Sequence, residues 1–173
     1  MLSQPITLQQ FVEKLQTIIG QPIWRVIHPA DGWLFVDLGK EYQDFIFSKD
    51  GSEKPYVKGE YQLQFKGDWT ITQNEKVIEA RTVQPNETQE KYFTRMDALT
   101  SNFPIKVFSI VSNSDNQVVF EAEKGYQLKV SVTGCDDALS LTAVDLDVEN
   151  KPLAYIHYRF DEELGSLAQA SSK

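Results

Sequence analysis

Cysteine, histidine, positive charge and long apolar runs are all scarce in this chain of 173 residues. The single cysteine, Cys135, excludes an internal disulfide framework and any multi-cysteine metal site. The two histidines, His28 and His157, are joined by no glycine-rich phosphate loop and no nucleophile elbow, so the catalytic inventory is thin. No apolar run approaches the ~20 residues of a membrane span. Met1-Leu2-Ser3-Gln4-Pro5 places no basic stretch before an apolar one, so the reading is a cytoplasmic chain with no signal peptide and no membrane contact. Lysine and arginine number 17 against 25 acids, a formal net charge of −8. Nucleic acid demands the opposite sign, because its affinity comes largely from neutralised phosphates.

What is present describes a folded globular chain. Apolar residues make up 41% and charged residues 24%, which excludes intrinsic disorder. The acids are unevenly spread. Asp136, Asp137, Asp145, Asp147, Glu149, Asp161, Glu162 and Glu163 face only Lys151 and Arg159 in the stretch 136–163. Such a concentration suits a basic partner protein or serves solubility.

Residues 7–19 carry helical spacing, with Leu8, Phe11, Val12, Leu15, Ile18 and Ile19 on one stripe. Thr7 and Gln10 make a capping box, Ile6 and Phe11 a hydrophobic staple, and Gly20 with Pro22 ends the helix. Strands are expected at Ile23–His28 and Trp33–Leu38 across a Pro29–Gly32 turn, with a short one at Phe45–Phe47. Tyr61–Phe65, Trp69–Thr72 and Val77–Thr82 follow. A second helix over 87–100, capped by Asn86 with Gln89, presents Tyr92, Phe93, Met96 and Leu99. Strands Lys106–Val111, Gln117–Glu121 and Tyr126–Val132 then repeat the earlier order.

Two short stretches carry the same signature, Gly59-Glu60-Tyr61-Gln62-Leu63 and Gly125-Tyr126-Gln127-Leu128. Pro22-Ile23 and Pro104-Ile105 lie further apart than the two signature tyrosines, by about the length of the Glu41–Lys58 segment. The reading is an α+β fold of two helix-plus-antiparallel-meander halves, an internal duplication with one insertion, and a C-terminal β-hairpin. Residues 1–163 form a single domain, with halves 1–83 and 84–163, and the polar 164–173 is a frayed tail.

The C-terminal hairpin pairs Leu139–Val148 with Leu153–Phe160 across an Asn150-Lys151-Pro152 loop. That register sets Asp145 opposite His157 and Asp147 opposite Tyr155, where a nearby carboxylate would raise the histidine pKa. Asp136, Asp137, Asp145, Asp147, Glu149, Tyr155 and His157 are the candidate partner-binding residues. The same carboxylates could gather a hard cation, but a solvated strand face is favoured, and no metal or cofactor is expected. His28, next to Pro29, reads as a surface or turn residue. Cys135 has carboxylate neighbours that would raise its pKa, the wrong direction for a nucleophile. Trp24, Trp33 and Trp69 are expected in the core.

Gly20-Gln21-Pro22-Ile23-Trp24-Arg25, Gly59 to Leu63 leading into Trp69-Thr70-Ile71, and Gly125 to Leu128 follow an N-terminal helix. In that order they resemble a pattern in small uncharacterised bacterial proteins, some found beside polymorphic toxin systems as presumed immunity proteins. The likeness spans residues 8 to about 132, with Thr70 where that pattern has arginine. It implies a binding role and assigns no catalytic residue. The expected function is therefore that of a non-enzymatic acidic binding protein, of immunity or regulatory type, which occludes a basic partner. The alternative is a small-ligand or lipid-binding domain with an apolar pocket between sheet and helices.

Overall fold

The structure, a computed structural model, describes residues 2–29, 31–82, 86–134 and 137–160. In chain order the elements are β1 (Leu2–Ile6), α1 (Leu8–Leu15), β2 (Pro22–Ile27), β3 (Leu34–Phe47), β4 (Glu53–Phe65), β5 (Trp69–Gln73) and β6 (Lys76–Ala80). Then come α2 (Gln89–Thr100), β7 (Ile105–Ser112), β8 (Gln117–Ala122), β9 (Tyr126–Ser131), β10 (Leu139–Leu146) and β11 (Pro152–Phe160). The expected tail at 164–173 lies outside the described residues.

The class is α+β and mostly antiparallel, with two short helices against a sheet in the order β1-β11-β10-β4-β3-β2-β7-β8-β9-β5-β6. Leaving aside β1, which pairs in parallel with β11, this order is symmetric about the seam between β2 and β7. Each helix is followed by a three-strand meander, β2-β3-β4 or β7-β8-β9. The hairpins that follow change sides. β5–β6 comes after β4 in the chain but pairs with β9, and β10–β11 comes after β9 but pairs with β4.

One core joins the two half-sheets. Val36, Leu63, Phe65 and Leu141 from one meet Ile71, Val107, Phe120 and Val130 from the other. The rings of Phe65 and Phe120 pack edge to face at 5.6 Å. Alternation along the strands sends these residues inward and their polar neighbours outward.

α1 forms as its sequence dictates. Thr7 Oγ1 accepts from the Gln10 amide at 3.3 Å, and Gln10 Oε1 accepts from the Thr7 amide at 3.0 Å. Phe11, Leu15 and Ile18 are wholly buried, each such burial stabilising by about 1.5–3 kcal/mol. The helix is shorter than its apolar stripe, because Gln16–Ile18 tightens into a 3-10 turn and leaves Ile19 exposed. α2 is capped by Thr88, whose hydroxyl accepts from the Lys91 amide, and not by Asn86. Starting there, the helix turns Phe93 to solvent while Met96 and Leu99 go inward.

Three further expectations are corrected. Phe45–Phe47 is the end of the long strand β3 and no separate element. His28 is fully buried instead of sitting at the surface. The C-terminal hairpin has a different register, with Thr142 opposite His157, Val144 opposite Tyr155 and Asp145 opposite Ala154. The turn begins earlier than the apolar pattern suggested. Asp147 Oδ1 accepts from the Glu149 and Lys151 amides, both at 2.8 Å, and a bulge lies between Asp145 and Leu146. A side chain able to mimic a backbone turn thus moved the loop by several residues.

Candidate functional site

A polar row crosses one half of the sheet at a single level. Arg25 pairs with Asp37, Asp37 with Gln62, Gln62 with Thr142, and Thr142 with His157. Asp37 has no exposed surface, and a buried carboxylate costs several kcal/mol unless it is paired. It accepts from Arg25 Nε at 2.7 Å, Gln62 Nε2 at 3.1 Å and the Gly59 amide at 3.2 Å. Arg25 also lies over the Trp24 ring at 4.9 Å and donates to the Val57 carbonyl at 2.7 Å. Trp24 occupies the bulge that precedes Arg25 in the β2–β3 ladder. Gly59 must be glycine, since a Cβ there would sit 2.6 Å from the Leu38 carbonyl oxygen.

Beyond this row β3 and β4 continue as a two-stranded arm. Glu41–Phe47 and Glu53–Gly59 pair with each other, while β2 and β10 pair only nearer the root. The strands close through a turn in which Ser48 donates to the Ser52 carbonyl and Asp50 caps Ser52. Gln43 pairs with Val57, Phe45 with Pro55 and Phe47 with Glu53, so these six share one face. Phe45 is 51% exposed, Phe47 73% and Val57 40%. The opposite face is knit together. Lys58 bridges to Asp44 at 3.1 Å and lies over the Tyr56 ring at 4.9 Å. At the root, Tyr42 lies beside Tyr155 of β11, and burial pushes the Tyr42 hydroxyl well above the ordinary tyrosine range.

A second charged cluster is internal. Arg95 of α2 grips Glu87 with Nε and Nη2, both at 2.8 Å, and reaches Glu79 of β6 at 2.9 Å. Its Nη1 lies 2.8 Å from His28 Nδ1, which must accept, so His28 Nε2 donates to the Thr82 carbonyl at 3.2 Å. The edge-on ring of Trp69, 4.6 Å away, closes the space around the imidazole. Burial raises the Glu79 carboxyl, but the hydrogen bond and charge of Arg95, with the His28 ring 3.6 Å away, outweigh it and hold the pKa below its usual value. The Arg95 fork likewise holds Glu87 low. This cluster clamps α2 to the sheet and has no open approach to its histidine. One signal of it was legible. Arg95 falls with Tyr92, Met96 and Leu99 at the spacing of one helix face.

The expected acidic site is dispersed. Asp136 and Cys135 lie outside the described residues. Asp137 faces Arg159 at 3.6 Å, Asp147 is spent on its turn, and Glu149 pairs with Lys151 at 2.5 Å. Asp145 is exposed at the bulge, and Tyr155 belongs to the root of the arm. His157, which hydrogen-bonds Thr142 Oγ1 at 3.0 Å, has its pKa lowered, chiefly by burial, although Asp137 pulls the other way. The expected raising by Asp145 is therefore overturned, since the register sends that carboxylate elsewhere. Trp69 is in the core as expected, while Trp24 and Trp33 are half-buried.

Between the half-sheets lies an apolar void of about 50 Å³, lined by Val36, Leu63, Ile71 and Phe120 among others. Pockets for drug-sized ligands run to roughly 300–1,000 Å³, several times this volume. No protein-family model matches the chain, and neither a curated protein nor a solved structure matches it.

Proposed function

We propose that this chain is a non-catalytic protein-binding module, a duplicated helix-plus-meander unit of which the first copy carries an inserted docking arm. The observation that carries the reading is the arm's one apolar face. Phe45, Phe47, Pro55 and Val57 share that face on a hairpin paired only with itself. A projecting apolar face contributes nothing to its own core and marks an interaction surface. Duplication is supported by the symmetric strand order and by matched bulges, at Trp24 in the first meander and Phe108 in the second. The net charge of −8 favours a basic partner and speeds encounter with it. The hairpin carboxylates are mostly engaged within the fold, so anchoring falls to the arm. A module of immunity or regulatory type would act by covering its partner's working surface.

The test is photo-crosslinking in native cell extract, with a benzophenone amino acid replacing Phe47 or, as control, the fully exposed Val148. Position 47 should give a defined adduct, suppressed by excess wild-type protein. Excess of a protein in which 44–56 is replaced by Asn-Gly should not suppress it. Equal labelling from positions 47 and 148 would remove the arm from the function.

A further inference from the structure

The two meanders place corresponding residues at one level, and they differ there in an informative way. In the first, Trp24 sits in a bulge, followed by the row Arg25, Asp37, Gln62 and Thr142. In the second, Phe108 sits in a bulge, followed by Ser109, Glu121, Gln127 and Thr72. Aromatic, acid, glutamine and threonine recur in register, and both glutamines come from the Tyr-Gln-Leu signature. The glutamine serves the acid in each. Gln62 Nε2 donates to Asp37 at 3.1 Å, and Gln127 Nε2 to Glu121 at 3.5 Å. The guanidinium is not matched, for Ser109 stands where the first meander has Arg25, and at the far end Val77 pairs with Thr72 where His157 pairs with Thr142.

Beside Ser109, which pairs with Glu121, the surface opens into a cleft of about 280 Å³ that Ser109 does not itself line. Phe108, Glu121, Gln127, Thr72 and Glu75 line it, and Phe108 is 58% exposed. Among the described residues no lysine or arginine lines the cleft. Lys124, on the adjoining turn, is occupied with the Asn102 carbonyl at 2.5 Å.

We propose that this cleft binds a guanidinium group supplied from outside the chain, in the place that Arg25 takes within the first meander. Arg25 is the internal template, stacked over Trp24 and forked onto Asp37 and a backbone carbonyl. An incoming guanidinium would lie on Phe108 and donate to Glu121, with Glu75 adding charge from the β5–β6 turn. A planar, weakly hydrated cation with a fork of donors fits this set better than a compact ammonium. The inference rests on the correspondence of the two meanders and is independent of the arm.

The experiment is a titration of ¹⁵N-labelled full-length protein with methylguanidinium, with methylurea as the neutral control of the same shape. Methylguanidinium should give saturable shifts centred on Phe108, Glu121 and Gln127, and methylurea none. Glu121→Gln should weaken binding about three- to fivefold, the range of one exposed ion pair. Phe108→Ala should weaken it about two- to fivefold, the range of an exposed cation–π contact. Ser109→Arg should abolish it by filling the cleft from within, as Arg25 does. Shifts that never saturate, an equal response to methylurea, or binding indifferent to Ser109→Arg would overturn the proposal. Should Ser109→Arg fail to fold, the double variant Phe108→Ala, Glu121→Gln decides instead, and unchanged affinity there also overturns it. A blocked Gly-Arg-Gly peptide distinguishes the sources. Affinity at least tenfold above methylguanidinium assigns an arginine of a partner protein, and equal affinity assigns a small free guanidine compound.

Discussion

The corner joining β3 to β4 and the corner joining β8 to β9 occupy equivalent places in the sheet and have been spent differently. The second is closed by the short 3-10 turn Glu123–Gly125, tight enough that a Cβ on Gly125 would meet Asn74 Oδ1. The first is drawn out into the arm, and its Val57 carbonyl receives the Arg25 guanidinium beside a buried Asp37. The lesson is that one frame tolerates either a filled, self-neutralised acid beneath a long hairpin or an accessible acid beneath a short one. The meander supplies the aromatic, the acid and the glutamine in both. A single position, arginine or serine, decides whether the charge is settled within the chain.

The sharpest way to break this comparison is to remove the two acids. Asp37→Ala orphans a half-buried arginine and two further donors, and should cost about 3–5 kcal/mol in urea unfolding. Glu121→Ala should cost no more than ~1 kcal/mol, as at other solvent-facing sites. Equal losses would mean that the two rows are not energetically distinct.

The helices offer a second contrast, of intermediate size. α1 is held by wholly buried apolar side chains, α2 by the Arg95 clamp. Glu79 and Glu87 have folded pKa values below the unfolded carboxylate range, so their contribution is fully present above the unfolded value of about 4.3. It is lost as pH falls through the lower folded values. Hydrogen exchange followed down an acid series should therefore show α2 losing protection before α1, and Arg95→Leu should abolish that order.

The smallest effect belongs to His157. Its folded pKa lies below the ordinary histidine value of about 6.5, so the neutral form is the one the fold favours. The associated stability is present above pH 6.5 and fades as pH falls through the folded value. An NMR titration should give a midpoint below that of an unfolded peptide, and Asp145→Asn should leave it unchanged because Asp145 faces Ala154.

Local chemistry made much of the fold legible. The Thr7–Gln10 capping box, the buried Phe11, Leu15 and Ile18 of the first apolar stripe and the two Tyr-Gln-Leu strands stand where the residue pattern puts them. What escaped was set by tertiary partners. His28 looked superficial beside Pro29, and is buried because Trp69 and Arg95 arrive from other elements. The hairpin register could be read only from alternation, and one Asx turn at Asp147 outweighed it. The arm was half visible as a polar insertion containing Phe45-Ile46-Phe47, but no local rule reveals that these residues extend a long strand out of the sheet. The correspondence of Asp37 with Glu121 is a matter of pairing, and strand pairing is written in no contiguous stretch.

The exchange of the two terminal hairpins also governs the order in which the molecule can be made. β4 emerges from the ribosome well before β10, the strand that will cover its outer edge. β5–β6, although synthesised next, waits for β9. Throughout the interval the nascent first half carries a bare strand edge, the feature most prone to pairing with a neighbouring chain. Neither half can seal its own sheet, so a chain halted between residues 82 and 139 leaves at least the β4 edge unsatisfied, and that edge is covered only when the last hairpin pairs with it.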